Sequence, residues 1–374
     1  MTWRVLHLVS TSDIGGTERS LLYHLEEGVR AGGGEFAEEI ACFQGGGDLI
    51  REARALGVPA EHLEIFSPTD WALRARGRVR DLLRRRRPDL IHIYGLRADV
   101  IARGLAKASG ARVASAIHST DPWRKRWHVW LDRATARHVD LFISNSPGGR
   151  SAALRREGHP PEKVAVCPQG IPDLPALAPE TRRSLRDGWR GDAVSSDELL
   201  VICCVANFRW MKGHADLIRA FGLLKDDFPA ARLVLAGDGP TLPECRALAE
   251  GLGLSGRVIF LGRVAEVAPI LQASDLFALA SRHEGLPTAI LEAMAASLPI
   301  IATAWEGASE TLAGVSLLSP PGDVPALAES LRTLFGDAVL RARLGEEARN
   351  RYHGEFRIGK ARERMLDLYR KLLG

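Results

Sequence analysis

The chain has 374 residues, 46% of them hydrophobic, and 50 Lys and Arg against 46 Asp and Glu leave a formal net charge of +4. That is the composition of a globular protein long enough for two domains, and it excludes collagen-like, low-complexity and disulfide-scaffold chains. No apolar run reaches the length that crosses a bilayer.

The opening MTWRVLHLVS reads as a first strand and not as a signal peptide, since it lacks a long apolar region and a small-residue cleavage site. Val5–Val9, Glu39–Phe43, Leu90–Tyr94, Arg112–Ile117, Leu141–Ser144 and Val164–Cys167 then read as strands. Helical patterns such as Thr17–Ala31 and Ala72–Arg86 lie between most of them. Alternation of this kind predicts a doubly wound parallel sheet.

Directly after the first strand, STSDIGGTERS brings Gly15 and Gly16, which let backbone approach a ligand, and Thr17, which can cap the next helix. The loop suits a phosphate, although a plain strand-to-helix turn reads the same. It is neither a GxGxxG fingerprint nor a Walker loop, which argues against dinucleotide or ATP binding of those kinds. His118 follows the strand Arg112–Ile117 and is either a ligand contact or a structural histidine.

Basic and aromatic segments follow. RRRRP at 84–88 ends a helix that also carries Arg74, Arg76, Arg78 and Arg80, and Trp123, Trp127 and Trp130 recur at helical spacing among Arg124, Lys125 and Arg126. Aromatic rings beside cations fit a membrane surface, and a solvated arginine face with ordinary tryptophan packing fits as well. No nucleic-acid module accompanies them. The first half of the chain is net basic and the second net acidic, so an anionic partner is expected on the first half.

Ile171–Asp197 is rich in Pro, Asp and Ser, with a short helix near Glu180–Gly188, and reads as an interdomain linker. Beyond it the rhythm restarts. Leu199–Ala206, Arg232–Ala236, Val258–Leu261, Leu276–Ala280, Ile300–Thr303 and Ser316–Leu318 read as strands. Helices fit Gly213–Phe228, Pro240–Leu252, Pro287–Ser297, Val324–Phe335, Leu340–Tyr352 and Gly359–Leu373. The expected division is a first domain at 1–172, a linker at 173–198, a second domain at 199–352 and a helical segment at 353–374. Two such domains commonly form a cleft where the carboxyl ends of the sheets face each other.

Three segments of the second half carry chemistry. In VICCVANFRWMKG the loop after the strand holds Arg209 and Lys212, a fork and a point charge that suit a diphosphate. AGDGP at 236–240 places Gly237 and Gly239 where a nucleotide could lie against backbone. DLFALASRHEGLPTAILEAMAAS, Asp275–Ser297, reads as a buried strand, a turn carrying Glu284 and a helix carrying Glu292. Gly285 permits the turn and Pro287 suits the first helical position. Ligands bind outside the carboxyl ends of such strands, and the helix amino terminus offers free N–H groups. The interval between the two glutamates is uninformative by itself, because Glu18 and Glu26 share it. Cys42, Cys167, Cys203, Cys204 and Cys245 lack zinc-ligand spacing and read as buried reduced thiols of a cytosolic protein.

Taken together, GGTE at 15–18, IHST at 117–120, SNSPG at 144–148, VCPQGIPD at 166–173, NFRWMKG at 207–213, AGDGP at 236–240, FLGR at 260–263, HEGLPTAILEAMAASLPIIAT at 283–303 and EGASE at 306–310 resemble the family 4 retaining glycosyltransferases. The resemblance spans nearly the whole chain. It implies the GT-B fold, with two doubly wound Rossmann-like domains facing a central cleft. It implies transfer of a sugar from a nucleotide-sugar donor to a saccharide or lipid-linked acceptor, without a metal or other cofactor, in cell-surface polysaccharide or glycolipid synthesis. The expected setting is the cytoplasm at the inner face of the membrane, with peripheral contact through the basic first domain and no nucleic-acid partner.

By the same resemblance, Glu292 would bind the ribose hydroxyls, Glu284 the donor sugar, and Lys212 with a neighbouring arginine the diphosphate. His118 and Gly16 would line the sugar and phosphate side from the first domain. Catalytic roles are implied for His118, Arg209, Lys212 and Glu284. Donor contacts are implied for Gly15, Gly16, Asn207, Gly237, Gly239, Gly285, Leu286, Pro287, Thr288 and Glu292. The acceptor hydroxyl would attack from the face the diphosphate leaves, or Glu284 would act as a covalent nucleophile. Most relatives place Arg where this chain has Asn207, and Arg209 is expected to reach the diphosphate instead. EGASE also lacks the second Gly of many relatives. Rival readings are a sugar-nucleotide-binding protein without catalysis, and an epimerase or phosphorylase of the same fold.

Overall fold

The computed structural model describes residues 2–65, 74–118, 124–191 and 194–374. Ser119, Thr120 and Trp123 of the motifs above, and the start of the helix expected from Ala72, lie outside them. The chain divides into two compact units, Met1–Pro172 with Phe356–Gly374, and Asp173–Glu355.

In the first unit the strands are β1 (Trp3–Val9), β2 (Phe36–Cys42), β3 (Ala60–His62), β4 (Leu90–Tyr94), β5 (Arg112–Ile117), β6 (Leu141–Ser144) and β7 (Val164–Val166). They form one parallel sheet in the order β3-β2-β1-β4-β5-β6-β7. Val5, Leu6, Leu8, Val9, Ile91 and Ile93 are all at most 1% exposed, because helices cover both faces and successive residues are buried alternately above and below. That is why these strands read as unbroken apolar runs. β3, the edge strand AEH, has no such run, and only its pairing with β2 reveals it.

The segment 353–374, expected as a separate helical tail, is instead largely part of this unit. The helix Ile358–Leu373 lays Tyr369, Met365 and Leu366 into a core with Val5, Phe36, Leu90 and Ile143. Its entry is fixed where Ile358 N–H donates to Ile171 at 2.8 Å. Gly170 allows that approach, since a Cβ there would meet the Ala361 Cβ at 2.6 Å and backbone of Phe356 and Ile358 at 2.9 Å.

The second unit repeats the architecture. Its strands are β8 (Leu200–Val205), β9 (Ala231–Ala236), β10 (Val258–Gly262), β11 (Leu276–Leu279), β12 (Ile300–Thr303) and β13 (Ser316–Ser319), in the parallel order β10-β9-β8-β11-β12-β13. The expected linker 173–198 contains the helix Pro179–Arg190, and it belongs to this unit. Arg186 binds both Asp275 carboxylate oxygens at 3.0 Å and the Leu199 carbonyl at 2.8 Å, while Asp275 accepts from Val201 N–H at 2.7 Å. The strand direction of chain travel reverses between β1 and β4 in one unit and between β8 and β11 in the other, which are the switch points where open α/β sheets bind ligands.

All five cysteines are buried and unpaired. Burial pushes the Cys203 thiol up to about 12 and the Cys167 thiol to about 11, so both stay protonated and unreactive.

Candidate functional site

In the second unit the candidate residues collect at the β8/β11 switch. The loop after β8 turns through a single 3-10 turn, Trp210–Lys212, in which Lys212 N–H donates to the Arg209 carbonyl at 2.9 Å. Gly213 closes it at φ +68, and a Cβ there would lie 2.0 Å from the Ala280 carbonyl oxygen. The loop is thus pressed against the end of β11, and Arg282 N–H locks it by donating to Met211 at 2.8 Å.

This approach joins two residues that are 72 positions apart. Lys212 Nζ lies 2.5 Å from Glu284 Oε1, with the side chains 22% and 10% exposed. A charge-assisted bond with so little water around it is strong and directional. A second pair ties the same two segments together: Arg282 binds Asp216 at 2.7 Å and stacks over the Trp210 ring at 5.0 Å. His214 stacks on Phe208 with ring centroids 4.0 Å apart, and burial pushes its pKa down to about 4, so it packs as a neutral ring. Arg282, Asp216 and His214 carried no sequence signal, since only the fold joins Arg282 to Asp216 and stacks His214 on Phe208.

Gly285 and Leu286 are buried, and Pro287 is the N-cap of the helix Thr288–Ala295, one residue earlier than the first-turn position expected. Thr288 opens that helix, and Glu292 is half-buried in its second turn. Asn207 and Arg209 are exposed on the same loop as Lys212. Gly237 and Gly239 have a packing reason of their own. A Cβ on Gly237 would lie 2.0 Å from the Ala206 oxygen, and one on Gly239 2.5 Å from the Phe208 oxygen. They let the loops after β8 and β9 touch, which holds Asn207 and Arg209 in place.

Gly213→Ala is therefore expected to cost about 2–4 kcal/mol, from a left-handed φ and a clash with backbone together. Urea unfolding measures it, and a loss below about 1 kcal/mol would show that the loop does not rest on β11 as described.

The first unit holds Gly15 and Gly16 after β1, at the β1/β4 switch, and His118 directly after β5. Gly15 is the N-cap of the helix Gly16–Arg30 at φ -105, and its N–H donates to Glu18 Oε2 at 3.0 Å. The loop before it is held by Gly47, whose N–H donates to Ser12 Oγ at 2.8 Å. His118 is half-buried, with Nδ1 enclosed, and burial pushes its pKa down to about 4. It lines a pocket of about 420 Å³ with Tyr94, Ile117, Arg124 and Trp127.

Beneath His118 runs a buried polar network that sequence reasoning missed. Tyr94 Oη lies 2.9 Å from His92 Nδ1 and 3.2 Å from His7 Nδ1. Tyr369 Oη is 2.8 Å from the same His92 nitrogen. Glu38 lies 3.2 Å from His7 Nε2 and 2.8 Å from His24 Nε2, and it accepts from Arg362 at 2.6 Å. His7, His24 and Glu38 could ligate a metal by distance. The fit is poor: the Arg362 guanidinium, 2.6 Å from Glu38, already supplies the cation that the carboxylate needs. Burial would raise Glu38, but the charges and hydrogen bonds of His24 and His7 outweigh it and hold the carboxyl well below its usual range.

A family model described as Glycosyltransferase Family 4 matches residues 14–173. One described as Glycosyl transferases group 1 matches residues 186–351. The chain belongs to glycosyltransferase family 4.

This glycosyltransferase is 27% identical over 302 residues to N-acetyl-alpha-D-glucosaminyl L-malate synthase of Bacillus anthracis, covering 79% of this chain and 77% of that protein. It is 24% identical over 303 residues to the UDP-Gal:alpha-D-GlcNAc-diphosphoundecaprenol alpha-1,3-galactosyltransferase of Escherichia coli, covering 77% and 76%. Among solved structures, Anabaena HepE in complex with UDP superposes with a TM-score of 0.86 at 21% identity, over 99% of this chain and 100% of that one. The fold of the glycosyltransferase is accordingly GT-B, built from two doubly wound Rossmann-like domains. No helix among its described residues is long and apolar enough to cross a membrane.

Proposed function

We propose that this glycosyltransferase moves a sugar from a nucleotide-sugar to a saccharide or lipid-linked acceptor, retaining the anomeric configuration, in surface polysaccharide or glycolipid assembly. The reading includes work in the cytoplasm against the inner membrane face and no metal requirement. The Lys212–Glu284 pair at the β8/β11 switch carries it: a cation and a carboxylate held 2.5 Å apart at the place where such sheets bind ligands. The names of the relatives support it, since the Escherichia coli enzyme is named for a UDP-galactose donor and a diphosphate-lipid acceptor. Anabaena HepE was solved with UDP-glucose.

In this reading the donor diphosphate takes the Lys212 ammonium and the Arg209 guanidinium. The amino terminus of the helix Thr288–Ala295 adds its N–H groups, Glu292 receives the ribose hydroxyls, and Glu284 faces the sugar. The bond between the anomeric carbon and the phosphate oxygen breaks, and its electron pair stays on the diphosphate. The acceptor hydroxyl oxygen bonds to the same face and passes its proton to the departing phosphate oxygen. Preorganised cations stabilise the charge that grows on the leaving group.

A thermal-shift series without metal against UDP, GDP, ADP and TDP tests the reading. One nucleotide is expected to raise the melting temperature by several degrees, about the shift that saturation near 100 times Kd produces. A folded protein that responds to none of them or their sugar conjugates has no donor site of this kind.

A further inference from the structure

The helix Arg126–Ala136, RWHVWLDRATA, has a feature that sugar transfer does not explain. Its carboxylate, Asp132, is 2% exposed and turned inward, 2.9 Å from Arg103 and 3.0 Å from His159. What remains outward is aromatic and cationic. Trp130 is 67% exposed and Trp127 52%, and their spacing puts them on neighbouring positions of one face. Lys125, Arg126, Arg133 and Arg137 are exposed along the same helix and its ends, and Arg155 is exposed on the adjoining turn. Arg133 is held in place by the carbonyls of Glu157 and Arg156, both at 2.7 Å, so that part of the surface is built and not merely mobile charge.

Two large exposed indoles are costly in water and have an apolar body with a single polar N–H, which suits the boundary between headgroups and acyl chains. Cations around them suit anionic headgroups. A folded protein partner would have to supply both an apolar socket and a ring of carboxylates, whereas an anionic lipid surface presents both everywhere. We propose that this helix seats the enzyme on an anionic lipid surface, with Trp130 and Trp127 at the headgroup level. His128 and Leu131 on the inner side of the same helix, together with the partly exposed Trp127, line the pocket that reaches His118. An acceptor carried in the lipid surface therefore meets that pocket beside the helix. The last step rests on the lipid-linked form of the function proposed above; the seating itself does not.

The test is co-sedimentation of the full chain with phosphatidylcholine vesicles, with and without phosphatidylglycerol, at low and high salt. Wild type is expected to bind the phosphatidylglycerol vesicles, to lose binding in high salt, and to ignore neutral vesicles. Lys125→Ala/Arg126→Ala removes two cations and is expected to weaken binding about thirtyfold. Trp130→Ser is expected to weaken it by about tenfold and to reduce the blue shift of tryptophan emission. Both variants are scored for the nucleotide thermal shift, which reports folding and the donor site independently. Absence of vesicle binding by wild type overturns the seating, and so does binding that the variants leave unchanged. A change from dimer to monomer on Trp130→Ser, seen by sedimentation, overturns it in favour of self-association. Variants that lose vesicle binding but keep the nucleotide shift support the seating. A wild type that shows the nucleotide shift but binds no vesicles sinks the seating alone, and a wild type with no nucleotide shift sinks the function and leaves the seating to its own data.

Discussion

Lys212→Ala is expected to lower kcat/KM by about 100- to 1000-fold, the loss seen when one preorganised charge is removed from a developing anion. The fold explains why the effect should be large. Lys212 is delivered by a turn that Gly213 presses onto β11, and it is mostly withdrawn from water, so its charge is poorly screened. Its removal also leaves Glu284 without its cation in a site where that side chain is 10% exposed. Lys212→Arg keeps the charge but not the geometry and should recover part of the rate. Arg209→Ala, on an exposed neighbour, is expected to cost less, about tenfold, mainly in donor affinity. Initial rates with the nucleotide-sugar found by thermal shift decide the matter. A Lys212→Ala enzyme within about threefold of wild type would remove Lys212 from the transition state.

Arg362→Met should be the most damaging change far from that site, costing about 3 kcal/mol, because it takes the guanidinium from a buried Glu38 and leaves it only His7 and His24 as partners. Glu38→Gln with Arg362→Met removes both charges and is expected to recover part of the loss. A double-variant loss equal to the sum of the two single-variant losses would mean that the pair does not interact.

The same cluster predicts acid sensitivity. His7 and His92 are held below their ordinary value, first by burial. A histidine depressed in the folded state binds fewer protons there than in the unfolded chain. Stability is then full above about pH 6.5, the unfolded value, and declines as the pH falls through it. Glu38, also depressed, extends the decline through the ordinary glutamate range near about 4.3. Melting temperatures are expected to fall steadily between about pH 7 and pH 5, and His92→Gln should flatten the upper part of the curve. A wild-type profile flat across that range would mean these histidines titrate alike in both states.

The two-sheet architecture was legible because parallel strands buried on both faces leave apolar runs that can be read locally. Leu90–Tyr94 and Ile300–Thr303 were expected at the residues where they occur. Edges and ends were less legible. The strand Ala60–His62 has no apolar pattern and exists through its partner β2. The helix expected to Phe228 stops at Gly222, where Leu224 N–H turns back to Phe221 at 3.1 Å.

Local order and chemistry were enough to nominate Lys212 and Glu284, because both stand in loops that follow a readable strand, where open sheets bind, whereas His118 was nominated by the family resemblance. What the chain alone determined is therefore the alternation of strands and helices, the family, and which loops bear charge. The tertiary structure decided which charges meet. Lys212 and Glu284 are 72 positions apart, and Glu38 and Arg362 are 324 apart. No local pattern encodes such pairings, since they follow from strand order and from the docking of the last helix onto the first unit. Proximity there is a property of packing, and packing is settled only when the whole sheet has closed around its core.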